Sequence, residues 1–484
     1  MTEPLSTPRT TRSLTRTRLH LLALPWLLAA CSQLPEYRRP ALPLPAQWPA
    51  ALGPTVSEPL RGGDWADYFS DARLQALITQ ALANNRDLRA TALKVEQARA
   101  QFQISRASQW PSLNAAAAGN RAPVATAAGT LQSSSYSVGL SVTAFELDFF
   151  GRVASLKEQA LAQYLGTAQA YESARLSLIA SVATGWLSLQ ADEAQLALLR
   201  GTLGNLEATL DLTRRAVARG TLTQQNLLLA ETQTEAARAA LSQGELQRER
   251  DVHALQLLLG QPDAGLGSER LDGSALTQAP WADLAPGLPS DLLLHRPDIA
   301  QAEQALVAAN ANVGAARAAL FPRISLTAGI SSLSPELSGL FKSGSQGFTL
   351  TPQASLPLLD AGQNKAQVEA ARLGRDMATA QYEKAIQSAF REVADALSER
   401  AAAVRQLEAS ERQAQAGQGQ LRLAQRSLEM GVSSRLDWLA AERNWLSLRQ
   451  QLVQAQLNRL QNQVTVYQVL GGHWRQEAHR FASP

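Results

Sequence analysis

The side chain best placed for covalent chemistry is Cys31, the single cysteine of the 484-residue chain. It follows Leu28–Ala30, and small residues before a cysteine suit a signal peptidase that cuts beside a lipid-modified sulfur. Four arginines and then an apolar stretch over 19–30 precede it. The pattern predicts a lipoprotein signal over 1–30 and palmitate-type acylation at Cys31, which anchors the chain to a membrane. An ordinary secretory peptide, or a short buried helix with an incidental cysteine, stays open.

Side chains that could support catalysis or metal binding do not form a recognisable pattern. Gly265–Gly267 does not extend into a dinucleotide fingerprint, and Ser345 lacks the glycine that a nucleophile elbow needs two positions earlier. The histidines show no metal-ligand spacing and have no partner cysteine. They are His20, His253, His295, His473 and His479. We therefore expect neither an enzyme nor a bound cofactor.

The net charge of +3 resides in the predicted signal segment. Residues 1–30 carry four arginines and one glutamate, so their removal leaves +3 − 3 = 0. The basic isoelectric point is thus no evidence for nucleic-acid binding. Since no run of 18 apolar residues occurs, we expect no inner-membrane helix. A chain of this kind that crosses a membrane does so with strands.

An internal repeat organises the chain. The segment Arg106–Pro111 recurs as Arg317–Pro322, an offset of 211 residues. The same offset relates Asp87 to Asp298, Gly151 to Gly362, Gly220 to Gly431, Glu231 to Glu442, and Leu259-Gly260 to Leu470-Gly471. Such a constant offset indicates two copies of one unit. We expect a signal (1–30), a lipidated extended tether (31–70), a first repeat (71–262), a linker (263–281), a second repeat (282–473) and a tail (474–484).

Long proline-free tracts predict that each repeat contains one helical hairpin. No proline occurs between Pro123 and Pro262, or between Pro357 and Pro484. A heptad seam favours coiled-coil packing, with smaller residues in the second copy. Its members are Leu196, Leu199, Leu203, Leu206, Leu210, Thr213 and Val217, then Leu407, Ser410, Ala414, Gly417, Leu421, Ala424 and Leu428. Gly220 and Gly431 then end the long helices. Taken alone, this seam favours a plain soluble coiled coil over a channel.

Each repeat also carries two stretches with period-two alternation, typical of strands. In Ser135–Leu147 and Arg323–Leu333, apolar residues alternate with small or polar ones. Gly347–Leu358 alternates around Pro352, and Ser112–Arg121 is the faintest. Soluble hairpins would fit each stretch alone. If the strands span a membrane, four are too few to close a barrel, so several chains must combine.

At this point the sequence resembles the TolC-like outer-membrane efflux channels, in their lipoprotein (NodT-type) branch. The motifs are Leu292–Glu303, Ala308–Arg317, Phe321–Leu326, Asp360–Gly362 and Gly431–Ser434. The resemblance implies a mainly α fold with a β-barrel, in which three chains contribute four strands each to twelve strands above a tunnel of coiled-coil hairpins. It also implies a passive, gated exit duct for drugs, toxic compounds or metal ions. A structural envelope lipoprotein and an exit channel for secreted proteins are the alternatives.

The resemblance further implies where partners bind and where the duct closes. A periplasmic adaptor and an inner-membrane pump of the resistance-nodulation-division type dock at the helical tips. The tip turns are Gly220 and Thr221, and Gly431, Val432 and Ser433. By motif matching the periplasmic gate comprises Leu436, Asp437 and Arg443. Ala440 stands where many members carry a second acidic residue, which favours closure by Leu436. A solvated helix face is the other interpretation of these charges.

Overall fold

A computed structural model describes residues 33–40, 65–126, 129–262, 276, 281 and 296–472. Several sequence predictions concern residues outside these ranges. They are the signal segment with Cys31, the tether over 41–64, most of the linker, the stretch Leu292–His295 of the family motif, and the tail. Among the described residues, no helix is long and apolar enough to cross a membrane.

The described chain is mainly helical, with one four-stranded sheet. The helices are α1 (Trp65–Tyr68), α2 (Ala72–Asn84), α3 (Arg86–Ala107), α4 (Arg152–Ala218), α5 (Gln224–Leu259), α6 (Pro297–Ala318), α7 (Gln363–Glu429) and α8 (Arg435–Val469). The strands are β1 (Leu113–Thr126), β2 (Gly129–Glu146), β3 (Arg323–Ser334) and β4 (Gln346–Ser355). In the described residues the first repeat has two helices before its strand pair and the second has one, and a helical pair follows the strands in both.

Contacts divide the chain into two compact units. The first unit holds the described residues 33–40 together with 96–166 and 302–382, and so contains the whole sheet. The second holds described residues within 65–95, 167–301 and 383–472, and so contains both hairpin tips. An apolar cluster fills the second unit. At its centre Tyr68 stacks on Tyr467 with ring centroids 4.7 Å apart, and Phe69 meets both Tyr467 and Trp281 edge-on.

The heptad seam is buried or half-buried along its length in both copies. Leu196 and Leu206 in α4, and Leu407 and Ala414 in α7, are buried members. The small residues of the second copy permit close helix approach, because a Cβ atom on Gly417 would lie 2.6 Å from Leu448 Cδ1. The coiled-coil prediction is thus confirmed.

In each repeat, a side chain just before the helix that leads into the strands donates to a carbonyl near the end of the last helix. The donor is an amide in the first repeat and a guanidinium in the second. In the first repeat the Asn85 side-chain amide donates to the carbonyl of Leu258, at 2.9 Å. In the second, 211 residues further on, Arg296 Nη1 donates to the carbonyl of Val469, also at 2.9 Å. Arg296 is buried and also pairs with Asp298 and Glu392. Because a buried guanidinium needs charged partners, the contact at Arg296 involves more side chains than the equivalent contact at Asn85.

The sheet is antiparallel throughout, in the order β1-β2-β3-β4. β1 extends beyond the predicted Arg121, whereas β4 ends before the predicted Leu358. Pro352 does not interrupt β4, where it lies opposite Leu326. A bulge between Val142 and Phe145 shifts the register between β2 and β3.

The two faces of the sheet differ as the alternation predicted. In one register row Leu140, Ile330 and Phe348 lie side by side on neighbouring strands. In the next row Gly139, Ser331 and Gly347 do so. Successive side chains of a strand point to opposite faces. One face is therefore apolar and the other small or polar. Ile330 and Phe348 are 64% and 68% exposed in the single chain, so the apolar face is uncovered.

Candidate functional site at the second helical tip

Both hairpins turn through a glycine in the left-handed region. Gly220 has φ of 75° and Gly431 has φ of 73°, a conformation that costs other residues about 1–2 kcal/mol. The residue after each glycine donates its N–H to the carbonyl five positions earlier. These bonds are Thr221 to Ala216 (3.0 Å) and Val432 to Ser427 (2.9 Å). The sequence therefore placed both tips correctly, because the turn requires glycine at one position.

A capping box starts the returning helix in each copy. In the second copy Ser434 is the N-cap; its N–H donates to Asp437 Oδ2 at 2.9 Å, and the Asp437 N–H donates to its hydroxyl at 3.2 Å. Thr223 and Asn226 form the same box in the first copy. The matched pair Asp437 and Asn226 thus shares a structural role. Asp437 adds a charge that Asn226 lacks.

Asp437 is fully exposed at the start of α8. The hydroxyl and backbone N–H of Ser434 donate to its carboxylate and hold the pKa of Asp437 below the usual value. These donors stabilise the ionised form. In the single chain the carboxylate therefore stays charged throughout the neutral range and into mild acid.

The structure places the predicted gate residues on the first three turns of α8. Leu436 and Arg443 are seven positions apart, so they lie on one stripe of the helix, and both are half-buried. Ala440 is exposed. Beside them Arg435 lies over the ring of Trp438, 4.0 Å from its centroid.

Two polar links join α8 to the first hairpin. Arg443 Nη1 donates to Gln233 Oε1 of α5 at 3.2 Å. Asn205 of α4 is buried and donates its amide to Glu442 Oε2 at 2.5 Å and to the carbonyl of Leu439 at 3.2 Å. Together the links tie the helix that bears Leu436 and Asp437 to both helices of the other repeat.

Sequence reasoning missed Asn205 and Gln233 as members of this site. Glu442 did stand out as a landmark of the repeat, but its partner is more than 200 residues away. No local pattern distinguishes Asn205 from the other polar residues of α4. At the two equivalent corners between helix and strand, Trp110 is 73% exposed, whereas Phe321 stacks on Phe150 with ring centroids 4.8 Å apart. The bend at Phe321 is therefore a packing site.

The described residues contain no group of three or more histidine, cysteine, aspartate or glutamate side chains able to hold a metal. The site contains the two tip turns, the exposed carboxylate of Asp437, and helix α8, which is hydrogen-bonded to α4 and α5 of the first repeat. The family model for outer membrane efflux proteins matches residues 77–261 and 288–472. The chain belongs to this family.

Known relatives are similar in sequence to this outer membrane efflux protein over most of its length. It is 41% identical to the probable efflux pump outer membrane protein TtgC of Pseudomonas putida, over 96% of this chain and 97% of that protein. It is 42% identical to the outer membrane protein OprJ of Pseudomonas aeruginosa, over 76% of this chain and 78% of that protein. The protein therefore serves outer-membrane efflux and is not an enzyme.

A solved structure extends the likeness to the fold. The open state of the MtrE outer membrane channel of Neisseria gonorrhoeae superposes with a TM-score of 0.83 at 37% identity. The match covers 92% of this chain and 98% of the channel. The family expected from the motifs is thus confirmed. The outer membrane is the compartment in which this efflux protein works.

Proposed function

We propose that this efflux protein is the passive exit duct of a tripartite pump and acts as a homotrimer. The observation that carries the proposal is the sheet. β1 and β4 each leave one edge unpaired within the described chain, and the apolar face is uncovered. In lipid, each unpaired backbone group costs several kcal/mol. Both edges must therefore be paired by strands of other copies.

Three copies would close the sheet with twelve strands. A barrel needs about eight strands before its interior accommodates more than side chains, so a single chain falls short. In the closed assembly the face with Leu140, Ile330 and Phe348 would meet lipid. The opposite face, with Gly139, Ser331 and Gly347, would line water. The glycines and serines of that lining leave a wide passage for small molecules such as drugs, toxic compounds or metal ions.

The first turns of α8 would form the periplasmic gate. On a threefold axis Leu436 would contribute an aliphatic ring that dewets the pore, and Asp437 a ring of carboxylates that repel one another and attract cations. Arg443 would act differently, because its guanidinium is already bonded to Gln233. Its role would be to hold α8 against the first hairpin. Opening would then require the links at Arg443 and Asn205 to break or shift.

The tip turns offer a docking surface for a periplasmic adaptor and, with it, an inner-membrane pump. Gly220 and Thr221 form one turn, and Gly431, Val432 and Ser433 the other. The Val432 side chain is 79% exposed. An apolar side chain at an exposed turn suits a protein contact. The cognate adaptor would cover it.

The anchor in outer-membrane lipid would be Cys31. This residue lies outside the described ranges, and its support is the Leu28–Ala30 motif before it. Several acyl chains on one N-terminus bind a membrane stably, where one chain binds only weakly. With the strands, the anchor would fix the protein in the outer membrane while its hairpins reach into the periplasm.

Single-channel conductance in planar bilayers tests the duct and the gate together. We would compare the native protein with the double variant Leu436→Ala/Asp437→Ala. The matched control is Gln225→Ala/Asn226→Ala, which removes the equivalent capping box of the first copy. We expect a small native conductance that rises severalfold in the first variant only. Equal increases in both variants would assign the effect to lost capping. No conductance from any inserted protein would refute the duct.

A further inference from the structure

The segment just after the predicted lipid attachment site lies extended against α6, within the first unit. Burial alternates along residues 33–38, with Gln33, Pro35 and Tyr37 half-buried and the residues between them exposed. This period-two pattern is typical of an extended peptide with one face on a surface. The Gln33 N–H donates to the carbonyl of Phe150, at 3.3 Å, where the chain turns from β2 toward α4. The segment is therefore docked from its first described residue.

Three residues on one face of α6 receive this segment. Gly314 lies under Leu34, since a Cβ atom there would come within 2.9 Å of Leu34 Cα. The buried Asn310 donates its side-chain amide to the carbonyl of Pro35, at 2.9 Å. Glu303 accepts from Arg39. The spacings of 7 and 4 residues place all three on the same helix face.

Glu303 forms the strongest contact of the groove. Arg39 Nε and Nη2 donate to its two carboxylate oxygens at 2.7 and 2.6 Å, which is a bidentate pair. The hydroxyl of Tyr37 adds a third bond at 3.1 Å. The Glu303 side chain is 15% exposed and that of Arg39 is 49% exposed. The pair is thus better shielded from water than an ordinary surface ion pair.

The first repeat has no such groove at the equivalent positions. At the offset of 211 residues, Glu303, Asn310 and Gly314 correspond to Ala92, Arg99 and Gln103. Ala92 has no carboxylate to accept from Arg39, and the long charged side chain of Arg99 stands in place of the compact amide of Asn310. A glutamine side chain would occupy the path that Gly314 leaves open. Arg99 and Gln103 are exposed, whereas Asn310 and Gly314 are buried.

We propose that the α6 face formed by Glu303, Asn310 and Gly314 is a peptide-binding groove whose ligand is the chain's own segment 33–39, and that its occupation positions the N-terminal anchor. The positioning of the anchor rests on the proposed acylation at Cys31, whereas the binding of segment 33–39 in the groove does not. Cys31 is two residues before Gln33, and a two-residue link spans at most about 7 Å. The groove therefore holds Gln33, two residues after the proposed anchor, against Phe150 of its own chain, where β2 ends.

Trypsin cleavage after Arg38 measures the occupation of the groove. The bond between Arg38 and Arg39 is susceptible, whereas Arg39 precedes Pro40 and resists trypsin. Cleavage requires the segment to leave the surface, so its rate follows the detached population. The readout is the new N-terminus at Arg39 on the purified full-length protein in detergent, which is independent of acylation. We would compare the native protein with Glu303→Gln and Gly314→Leu.

We expect Glu303→Gln to speed cleavage about tenfold, since it keeps the shape but loses the charge that binds Arg39. Gly314→Leu should act more strongly, because its side chain fills the path of Leu34. Gln103→Leu, at the equivalent position of the first repeat, is the matched control and should leave the rate unchanged. Should Gly314→Leu fold poorly, the isosteric Glu303→Gln variant decides alone.

Unchanged cleavage in Glu303→Gln, or equal acceleration in Gln103→Leu, would overturn the groove. A parallel Cys31→Ser variant separates the two hypotheses. If it loses its acyl chains but keeps the native cleavage rate, both the groove and the anchor stand. If the native protein carries no acyl chain while Glu303→Gln still accelerates cleavage, the groove is supported and its role in positioning an anchor is refuted.

Discussion

Replacing Asp192 by asparagine should make the protein more stable at pH 8 and stabilise it less at pH 5. Asp192 of α4 faces Asp251 of α5 within the first hairpin. Asp192 Oδ2 is buried and receives no hydrogen bond from the described residues. Burial raises the pKa of Asp192 to about 7, and the carboxyl of Asp251 and the charge of Glu193 add to the shift, while Arg248 opposes it. The folded protein therefore holds a proton near neutrality.

The sign of the pH dependence follows from where each state releases that proton. An unfolded aspartate releases it near pH 3.8 and the folded one near pH 7. Between these values the folded state binds more protons than the unfolded state. The free energy of unfolding therefore falls as the pH rises from about 4 to about 7, and this group causes no further change above pH 7. The gap of about three pH units corresponds to about 4 kcal/mol at full burial. Because the side chain is only half-buried, screening reduces this to about 1–2 kcal/mol.

Thermal unfolding followed by circular dichroism at a fixed scan rate measures this effect. For a chain of this size, 1–2 kcal/mol shifts the midpoint by about 1–2 °C. The comparison uses the difference between Asp192→Asn and the native protein at pH 5 and at pH 8, so other titrating groups cancel. The control is Asp211→Asn, an exposed carboxylate on the same helix paired with Arg215. It should show no gain at pH 8.

The reasoning is refuted if Asp192→Asn is destabilised equally at both pH values. It is also refuted if the native protein gains stability relative to the variant between pH 5 and pH 8. The second repeat shows that the fold accepts a neutral pair here. At the offset of 211 residues it has Ala403 and Asn462, and Asn462 donates to the carbonyl of Ala396, at 3.0 Å.

Three further predictions concern stability and processing. Arg296→Met should lower the free energy of unfolding by about 1–3 kcal/mol, measured by thermal unfolding, because the Val469 carbonyl and the half-exposed carboxylates of Asp298 and Glu392 lose their donor. Gly260→Ala should cost about 2–4 kcal/mol, since its Cβ atom would lie 2.3 Å from the carbonyl oxygen of Asn84; Gly220→Ala, with the same φ sign and open space, should cost about 1 kcal/mol. Cys31→Ser should abolish palmitate labelling in cells, and continued labelling would disprove acylation at this residue.

Much of the secondary structure was predictable because it depends on local periodicity. The heptad spacing from Leu196 to Val217 predicted a buried seam, and the alternation in Arg323–Leu333 predicted a strand with two unlike faces. Gly220 and Gly431 marked the tips since the turn requires a left-handed residue. The faint strand at Ser112–Arg121 was set too short, because alanines give little contrast between its faces.

Only the tertiary structure decided which distant side chains meet. The link from Asn205 to Glu442 joins different repeats across 237 residues, and no sequence period relates the two. Asp437 was predicted as a gate residue from motifs, but the structure added that it caps its own helix. The ion pair between Arg39 and Glu303 forms because the extended segment before Arg39 passes over Gly314. Local patterns specify elements through their periodicity, whereas such pairs depend on packing that brings remote parts of the chain to one place.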